Sequence, residues 1–212
     1  YQFAIKRYTT TNLKAKEIHQ IGLDEVARIL SEMEKVKEEV GFEGDLVAFF
    51  DHVRENKKLM PFTTPEQVIE NFNKIHKKMK PKLKELFLEE PKTGFIVKRT
   101  ETVREASASA EYNLGSLKDN RPGIFYVPIP DARAYNTYSD ESLFLHEAIP
   151  GHHYQIALTQ ENDSLPEFRK ILWYSAYGEG WALYTESLGK ELGLYSDPYQ
   201  YFGTLSAEMH RA

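Results

Sequence analysis

The chain has 212 residues, with 27 Lys plus Arg against 32 Asp plus Glu and a formal charge of −5, which argues against nucleic acid as a partner. At 41% hydrophobic and 28% charged residues it can bury a sizeable core as one large domain or two small ones, and disorder is excluded as its main state. There is no cysteine, which removes disulfides, thiolate zinc sites, iron–sulfur ligation and cysteine nucleophiles, so any metal must use His and carboxylates.

The chain opens at Tyr1 with no initiator Met and no signal-peptide pattern, and it closes at Ala212 inside a helix-like run, so it reads as a fragment of a longer protein. Gly22-Leu23-Asp24-Glu25 leads into Val26, Ile29, Leu30, Met33 and Val36, an apolar stripe that predicts an amphipathic helix ending near Val40-Gly41. Asp45 to Asn56 reads as a second helix. Thr64-Pro65-Glu66-Gln67 starts a third with a cap and a first-turn proline, and Pro81 is expected to kink or end it. The lysine-rich run from Lys77 to Lys84 reads as a solvated helix face, because acidic neighbours follow it and no aromatics interleave.

From Gly94 to Pro130 the pattern turns to β: Phe95-Ile96-Val97, Glu111 to Leu114 and Ile124 to Val127, the last two separated by the turn signal Asp119-Asn120-Arg121-Pro122-Gly123. A small antiparallel sheet or hairpin is expected, with the strand that runs into Pro128 and Pro130 at its edge. Ser139-Asp140-Glu141 then caps a helix through Leu158, Pro166 opens a short one, Tyr174 to Leu192 forms another ended by Gly193, and Asp197-Pro198 begins the last. The fold class is therefore α+β and predominantly α-helical, one region over 1–212 with a helical part at 1–93, a small sheet at 94–130 and candidate site helices at 131–212. No apolar stretch approaches the roughly 20 residues of a membrane span.

The chemistry concentrates in His146-Glu147-Ala148-Ile149-Pro150-Gly151-His152-His153, Gly178-Glu179-Gly180-Trp181 and Glu186. Two histidines near a Glu, followed by a carboxylate on a later helix, build a catalytic zinc site where sulfur is absent. Glu147, directly after the first His, would take a proton from the metal's water. The six-residue step from His146 to His152 does not suit an unbroken helix, since at about 100° per residue the two side chains diverge. Pro150 removes a helical hydrogen bond and Gly151 tolerates unusual backbone angles, so a break or bulge between Ile149 and His152 is expected to bring the two imidazoles together with Glu179. His153 stands as an alternative ligand, and the glycines flanking Glu179 suggest close backbone approach there. Glu186, seven residues after Glu179 and on the same helix face, is either an outer carboxylate orienting a ligand His or a surface group.

These motifs, with Tyr154-Gln155, Ala182-Leu183-Tyr184-Thr185, Ala134 to Tyr138, Tyr8-Thr9-Thr10 and Gly22 to Ile29, resemble the bacterial domain-of-unknown-function family 885 (DUF885) over nearly the whole chain. More distantly they resemble the helical zinc carboxypeptidases of the carboxypeptidase Taq type, gluzincin-like enzymes in which His-Glu-x-Gly-His is followed by a Glu ligand on a later helix. Gly151-His152 matches the Gly-His pair with two residues inserted, and Glu179 with Glu186 matches the later-helix pattern. The resemblance implies a zincin-like metallopeptidase: zinc on His146, His152 and Glu179, Glu147 as general base, and peptide as substrate. It also points to the cell envelope or periplasm, with the cytoplasm as the alternative.

Among the tyrosines close to the motifs, Tyr138 and Tyr177 are candidates to donate a hydrogen bond to a developing oxyanion. Arg133 and Tyr126 are candidates for substrate binding, the latter on the strand at Ile124 to Val127, along which a peptide could pair by its main chain. Trp173 and Trp181 read as packing residues. Two other classes compete. A carboxylate-bridged di-metal protein would need paired Glu-x-x-His motifs, which do not occur here, and a non-catalytic metal-binding or structural module would keep the motif without turnover.

Overall fold

The computed structural model describes all residues, Tyr1–Ala212. The N-terminal third is helical: α1 (Gln2–Thr9), α2 (Ala15–Glu39), α3 (Leu46–Glu55) and α4 (Pro65–Leu86). Local chemistry sets their starts. Asp45 caps α3 by accepting from the Ala48 N–H, and Thr64 with Gln67 forms a reciprocal capping box at α4, with Pro65 at the first helical position. Helix α2 begins eleven residues before the apolar stripe does, its start held by the Glu17 carboxylate, which accepts from the Lys14 N–H at 2.7 Å.

Of the two effects expected of Pro81, an end to the helix does not occur; α4 runs on to Leu86. The carbonyl that loses its partner belongs to Lys77, whose side chain is exposed, so water can replace the missing N–H. The buried stripe Val68, Phe72, Ile75, Met79 and Leu83 lies on the other side of the helix. The lysines of this stretch are solvated, apart from Lys78, which reaches Glu141.

Three strands follow: β1 (Phe95–Arg99), β2 (Glu111–Asn113) and β3 (Gly123–Val127), in the order β1-β3-β2. The expected hairpin is β2–β3, antiparallel with Tyr112 opposite Phe125. The sheet as a whole is mixed, since β1 pairs parallel with β3 from Phe95↔Gly123 to Arg99↔Val127. The chain doubles back after β1 through an Arg99–Glu105 pair, with Glu105 also accepting from the Ile129 N–H. That reversal makes β2 run opposite to β1, and β3, turning again, lies between them parallel to β1. Strand β3 is thus central and not an edge, and its prolines fall just beyond its last paired residue, where no ladder bond is lost.

Six further residues of sequence after the loop at Arg133 begin the second helical half: α5 (Asp140–Glu147), α6 (His152–Glu161), α7 (Glu167–Ile171), α8 (Ser175–Ser187) and α9 (Pro198–Arg211). Helix α8 stops before the expected Leu192; residues 188–194 wind into an irregular turn with Gly193 at φ 79°. The main core joins the α4 stripe to Phe125 and Val127 of β3 and to Phe144 and Leu145 of α5. A second core packs Ile29, Met33 and Val36 of α2 against Phe49 and Val53 of α3 and Phe202 and Leu205 of α9. Helix α5 is enclosed by α4, α8 and α9, and its first-turn acids are paired: Asp140 accepts from Asn71 and Tyr135, and Glu141 from Lys78 and the Tyr195 N–H. The site residues at the other end of α5 therefore rest on a fixed element.

Candidate metal centre

The helix expected from Asp140 to Leu158 is broken at Ala148–Gly151, leaving α5 and α6 joined by a corner. The Ile149–Pro150 peptide is cis. A corner strands carbonyls, and α8 supplies donors for them: Trp181 Nε1 donates to the Pro150 carbonyl at 2.7 Å, and the Thr185 hydroxyl reaches the Leu145 carbonyl at 2.9 Å. Gly151 lies so close to the end of α5 that a Cβ there would sit 1.9 Å from the His146 carbonyl oxygen. Only glycine fits this corner.

The corner brings together His146, His152 and Glu179, with one ligand atom from each lying within 4.8 Å of the others. The Glu179 Oε2 is 3.6 Å from both His146 Nε2 and His152 Nε2, and the two imidazoles meet edge to face with centroids 4.7 Å apart. Along α8, Glu179, Ala182 and Glu186 recur at helical spacing on the face turned to α5. Glu186 is buried, accepts from His146 Nδ1 at 2.7 Å and is itself held by Arg211 of α9 at 2.8 Å. It orients His146 so that Nε2 faces the cluster. His152 has no such partner: its Nδ1 is buried without a hydrogen bond, and the ring is held by packing between His146 and Trp173.

Glu147 is buried beside the cluster, and burial pushes its carboxyl up to about 7, with the His146 charge opposing and the Glu179 charge adding to the rise. Burial likewise drives His152 down to about 4, so that it is neutral near pH 7 and presents a lone pair. Burial pulls His146 in the same direction, but the Glu186 hydrogen bond and the surrounding carboxylates outweigh it and leave it raised. Two neutral-capable imidazoles and a half-exposed carboxylate form a donor set of the kind that zinc accepts.

Other residues singled out in the sequence lie elsewhere. His153 points to the sheet, where its Nδ1 meets the Tyr112 hydroxyl at 2.9 Å. Tyr138 packs on Phe202 and lines an apolar cavity of about 350 Å³ beside the second core, away from the histidines. Tyr126 shares the face of β3 opposite to Phe125 and Val127, with Lys98 over its ring at 5.6 Å; strand alternation turns it from the helices. Arg133 is an exposed loop residue. Tyr177 is exposed, and it is its carbonyl, not its hydroxyl, that is engaged, by Gln155. The two glycines around Glu179 differ: a Cβ on Gly178 would strike the Trp173 ring at 2.1 Å, whereas Gly180 faces open space. Sequence reading missed Tyr112, Arg211 and the polar roles of Trp181 and Thr185. Of these, only Trp181 and Thr185 left a signal, their four-residue spacing on α8.

The arrangement defines a helix-rich α+β protein with a two-His, one-Glu cluster at a break between helices, backed by a buried carboxylate on the far nitrogen of one His. The chain belongs to the family described as "Bacterial protein of unknown function (DUF885)", whose model matches residues 1–212. It is similar to the crystal structure of "the putative lipoprotein from Colwellia psychrerythraea", with 34% identity and a TM-score of 0.93 over 100% of this chain. The chain spans 37% of the length of that protein. No curated protein matches. No helix is long and apolar enough to cross a membrane.

Proposed function

We propose that this chain carries the metal site and general base of a zinc-dependent metallopeptidase, carboxypeptidase-like in its motif. The observation that carries the reading is the convergence of His146, His152 and Glu179 within 4.8 Å beside the buried Glu147. Donors around a tetrahedral zinc at ~2.0–2.1 Å stand roughly 3.4 Å apart, close to the 3.6 Å between Glu179 and each imidazole. Bound there, zinc would polarise a scissile carbonyl and acidify an attached water.

The chain's own residues account for the remaining tasks. Glu147 accepts the water's proton and returns it to the leaving nitrogen. Glu186, held by Arg211, keeps His146 in the tautomer that turns Nε2 inward. A peptide cannot pair along Ile124–Val127, because β3 is flanked on both sides; the sheet's edges are β1 and β2, and β2, Glu111–Asn113, is the edge whose Tyr112 main chain lies against the Glu147 carboxylate. Main-chain pairing on that edge would hold an extended substrate whatever its side chains. The distant likeness to helical zinc carboxypeptidases supports the same substrate class.

The test uses the full-length protein. Glu147→Gln keeps shape and removes the base, so bound zinc should survive while peptide hydrolysis falls by about 10²-fold or more. His146→Ala and Glu179→Ala should lose zinc and activity together. Elemental analysis and a peptidase assay on the three variants separate the roles. Full activity in Glu147→Gln would overturn the base assignment, and zinc retained by wild type with no peptide cleaved would favour a module that binds metal without turnover.

A further inference from the structure

Beside the metal cluster lies a second polar contact that the proposed chemistry does not use. His153 is 2% exposed, yet it sits directly after His152 in the first turn of α6. Successive helical residues diverge by about 100°, so while His152 faces Glu179, His153 faces the sheet. There its Nδ1 meets the Tyr112 hydroxyl at 2.9 Å, and its ring packs on Phe95 of β1 at 4.7 Å and on Tyr112 of β2 at 5.4 Å. The ring also lies near the Thr93 main chain. A neutral imidazole suits the contact with the strand, its Nδ1 accepting from the Tyr112 O–H.

We propose that His153 and Tyr112 are positioning residues that lock the edge strand β2 over Glu147, fixing the register in which an extended peptide main chain meets the catalytic carboxylate. Three observations converge on this role. Strand β2 has three residues and only one neighbour, β3, so its own ladder bonds hold it weakly. The Tyr112 ring lies where a side chain at position 123 would go, a Cβ on Gly123 falling 2.3 Å from its hydroxyl; the sheet leaves that space for the ring to reach across to α6. The same residue that gives its hydroxyl to His153 presents its main chain to Glu147. One residue thus ties the strand to the helix start and to the base together. An apolar residue at 153 could fill the volume, but it could not fix the strand along its own axis, as a directional hydrogen bond does.

The role explains why two histidines stand side by side: His152 belongs to the donor set and His153 to the substrate platform. It rests on the peptidase reading for its catalytic consequence, although the anchoring itself can be measured without turnover. The experiment uses the full-length protein and the variants Tyr112→Phe, His153→Leu and His153→Asn, the last of which keeps a polar atom close to where Nδ1 sits. Hydrogen exchange reads the Glu111–Asn113 amides, competition with a chromophoric chelator reads Zn²⁺ affinity, and steady-state cleavage of a fluorogenic peptide reads kcat and KM separately.

Tyr112→Phe and His153→Leu should leave Zn²⁺ affinity within about twofold, speed β2 exchange about tenfold as expected for one lost hydrogen bond, and raise KM by a similar factor with a smaller change in kcat. His153→Asn should recover both exchange and KM, and the double variant should be no worse than the worse single one, because the two residues share one contact. Loss of Zn²⁺ in His153→Leu equal to that in His146→Ala would make His153 a ligand and overturn the proposal. Unchanged exchange and KM in both variants would reduce the contact to packing and overturn it as well. If wild type binds Zn²⁺ but cleaves no peptide, the peptidase reading fails, while the exchange data still decide whether the anchor exists.

Discussion

The corner at Ala148–Gly151 makes a quantitative prediction. In Gly151→Ala the new Cβ would lie 1.9 Å from the His146 carbonyl oxygen and 2.2 Å from that of Leu145. Both are main-chain atoms, so no rotamer change relieves the contact; reaching even 3.0 Å requires α5 and α6 to separate by about 1 Å. Metal–donor distances tolerate about 0.2 Å, so the displacement exceeds what a shared site absorbs several-fold. Removing an outer-shell partner costs roughly 10–100-fold in metal affinity, and moving a whole ligand should cost at least the upper end of that range. The strain should also destabilise the fold by about 1–3 kcal/mol. Chelator competition for zinc on the folded full-length protein, with circular dichroism as the check on folding, measures the first quantity, and urea unfolding the second. Zinc affinity in Gly151→Ala within about threefold of wild type would show that His146 and His152 do not share an ion through this corner.

Gly180→Ala is the matching control: it sits within α8 in open space, so it should be neutral or stabilise by about 0.5–1 kcal/mol, as thermal unfolding will read. Arg211→Met and Glu186→Gln should each lower zinc affinity by about 10–100-fold with the fold retained; unchanged affinity in both would remove the Arg211–Glu186–His146 chain from the site. Thr185→Val should cost about 1–3 kcal/mol in urea unfolding, because it leaves the Leu145 carbonyl without its donor. Burial pushes the Asp140 carboxyl up to about 7 against the hydrogen bonds from Tyr135 and Asn71, so the folded state keeps a proton that the unfolded chain releases above about pH 4. That contribution is present below about pH 4 and is lost as pH rises towards 7; Asp140→Asn should therefore gain in stability relative to its parent between pH 4 and pH 8, and a difference that stays flat across urea midpoints at these pH values would refute the assignment.

Much of the fold was legible because its determinants are local. The stripe at Ile29, Met33 and Val36, the Asp45 cap and the Thr64–Gln67 box each act within one or two turns, and the helices they mark are where their residues place them. The β2–β3 hairpin was readable for the same reason, through its turn residues. What failed depended on distant partners. The parallel pairing of β1 with β3 follows from a reversal held by Arg99, Glu105 and Ile129, contacts 6 and 24 residues apart in sequence, and no periodicity encodes them. Whether Pro81 ends α4 depends on whether the stranded carbonyl faces water, a property of the side of α4 it occupies.

The site divides along the same line. His146, Glu147, His152 and Glu179 could be picked out because their chemistry and spacing announce a cluster, and the Pro150-Gly151 pair located the break that lets it form. Of the side chains that hold the cluster in place, Glu186 was legible through its seven-residue step from Glu179, whereas the others gave no comparable signal. Arg211 lies 65 residues beyond His146, with one carboxylate between them, and Tyr112 reaches His153 across 41 residues. Each is an ordinary surface or strand residue until the fold closes. The tyrosines illustrate the converse: nearness in sequence to a motif singled out Tyr138, and the reading of Ile124–Val127 as an edge strand singled out Tyr126, but the turn of a loop and the alternation of a strand place both away from the histidines. A donor set can be written into one short segment, but the orientation of each donor is a property of whatever packs behind it. In this chain α8 and α9 meet that requirement for His146, whereas His152 has only aromatic packing. His152 should therefore be the looser ligand, and Trp173→Ala, which removes one wall of its pocket, should weaken zinc binding while leaving the Glu186–His146 hydrogen bond intact, a split that zinc titration together with imidazole ¹⁵N shifts would resolve.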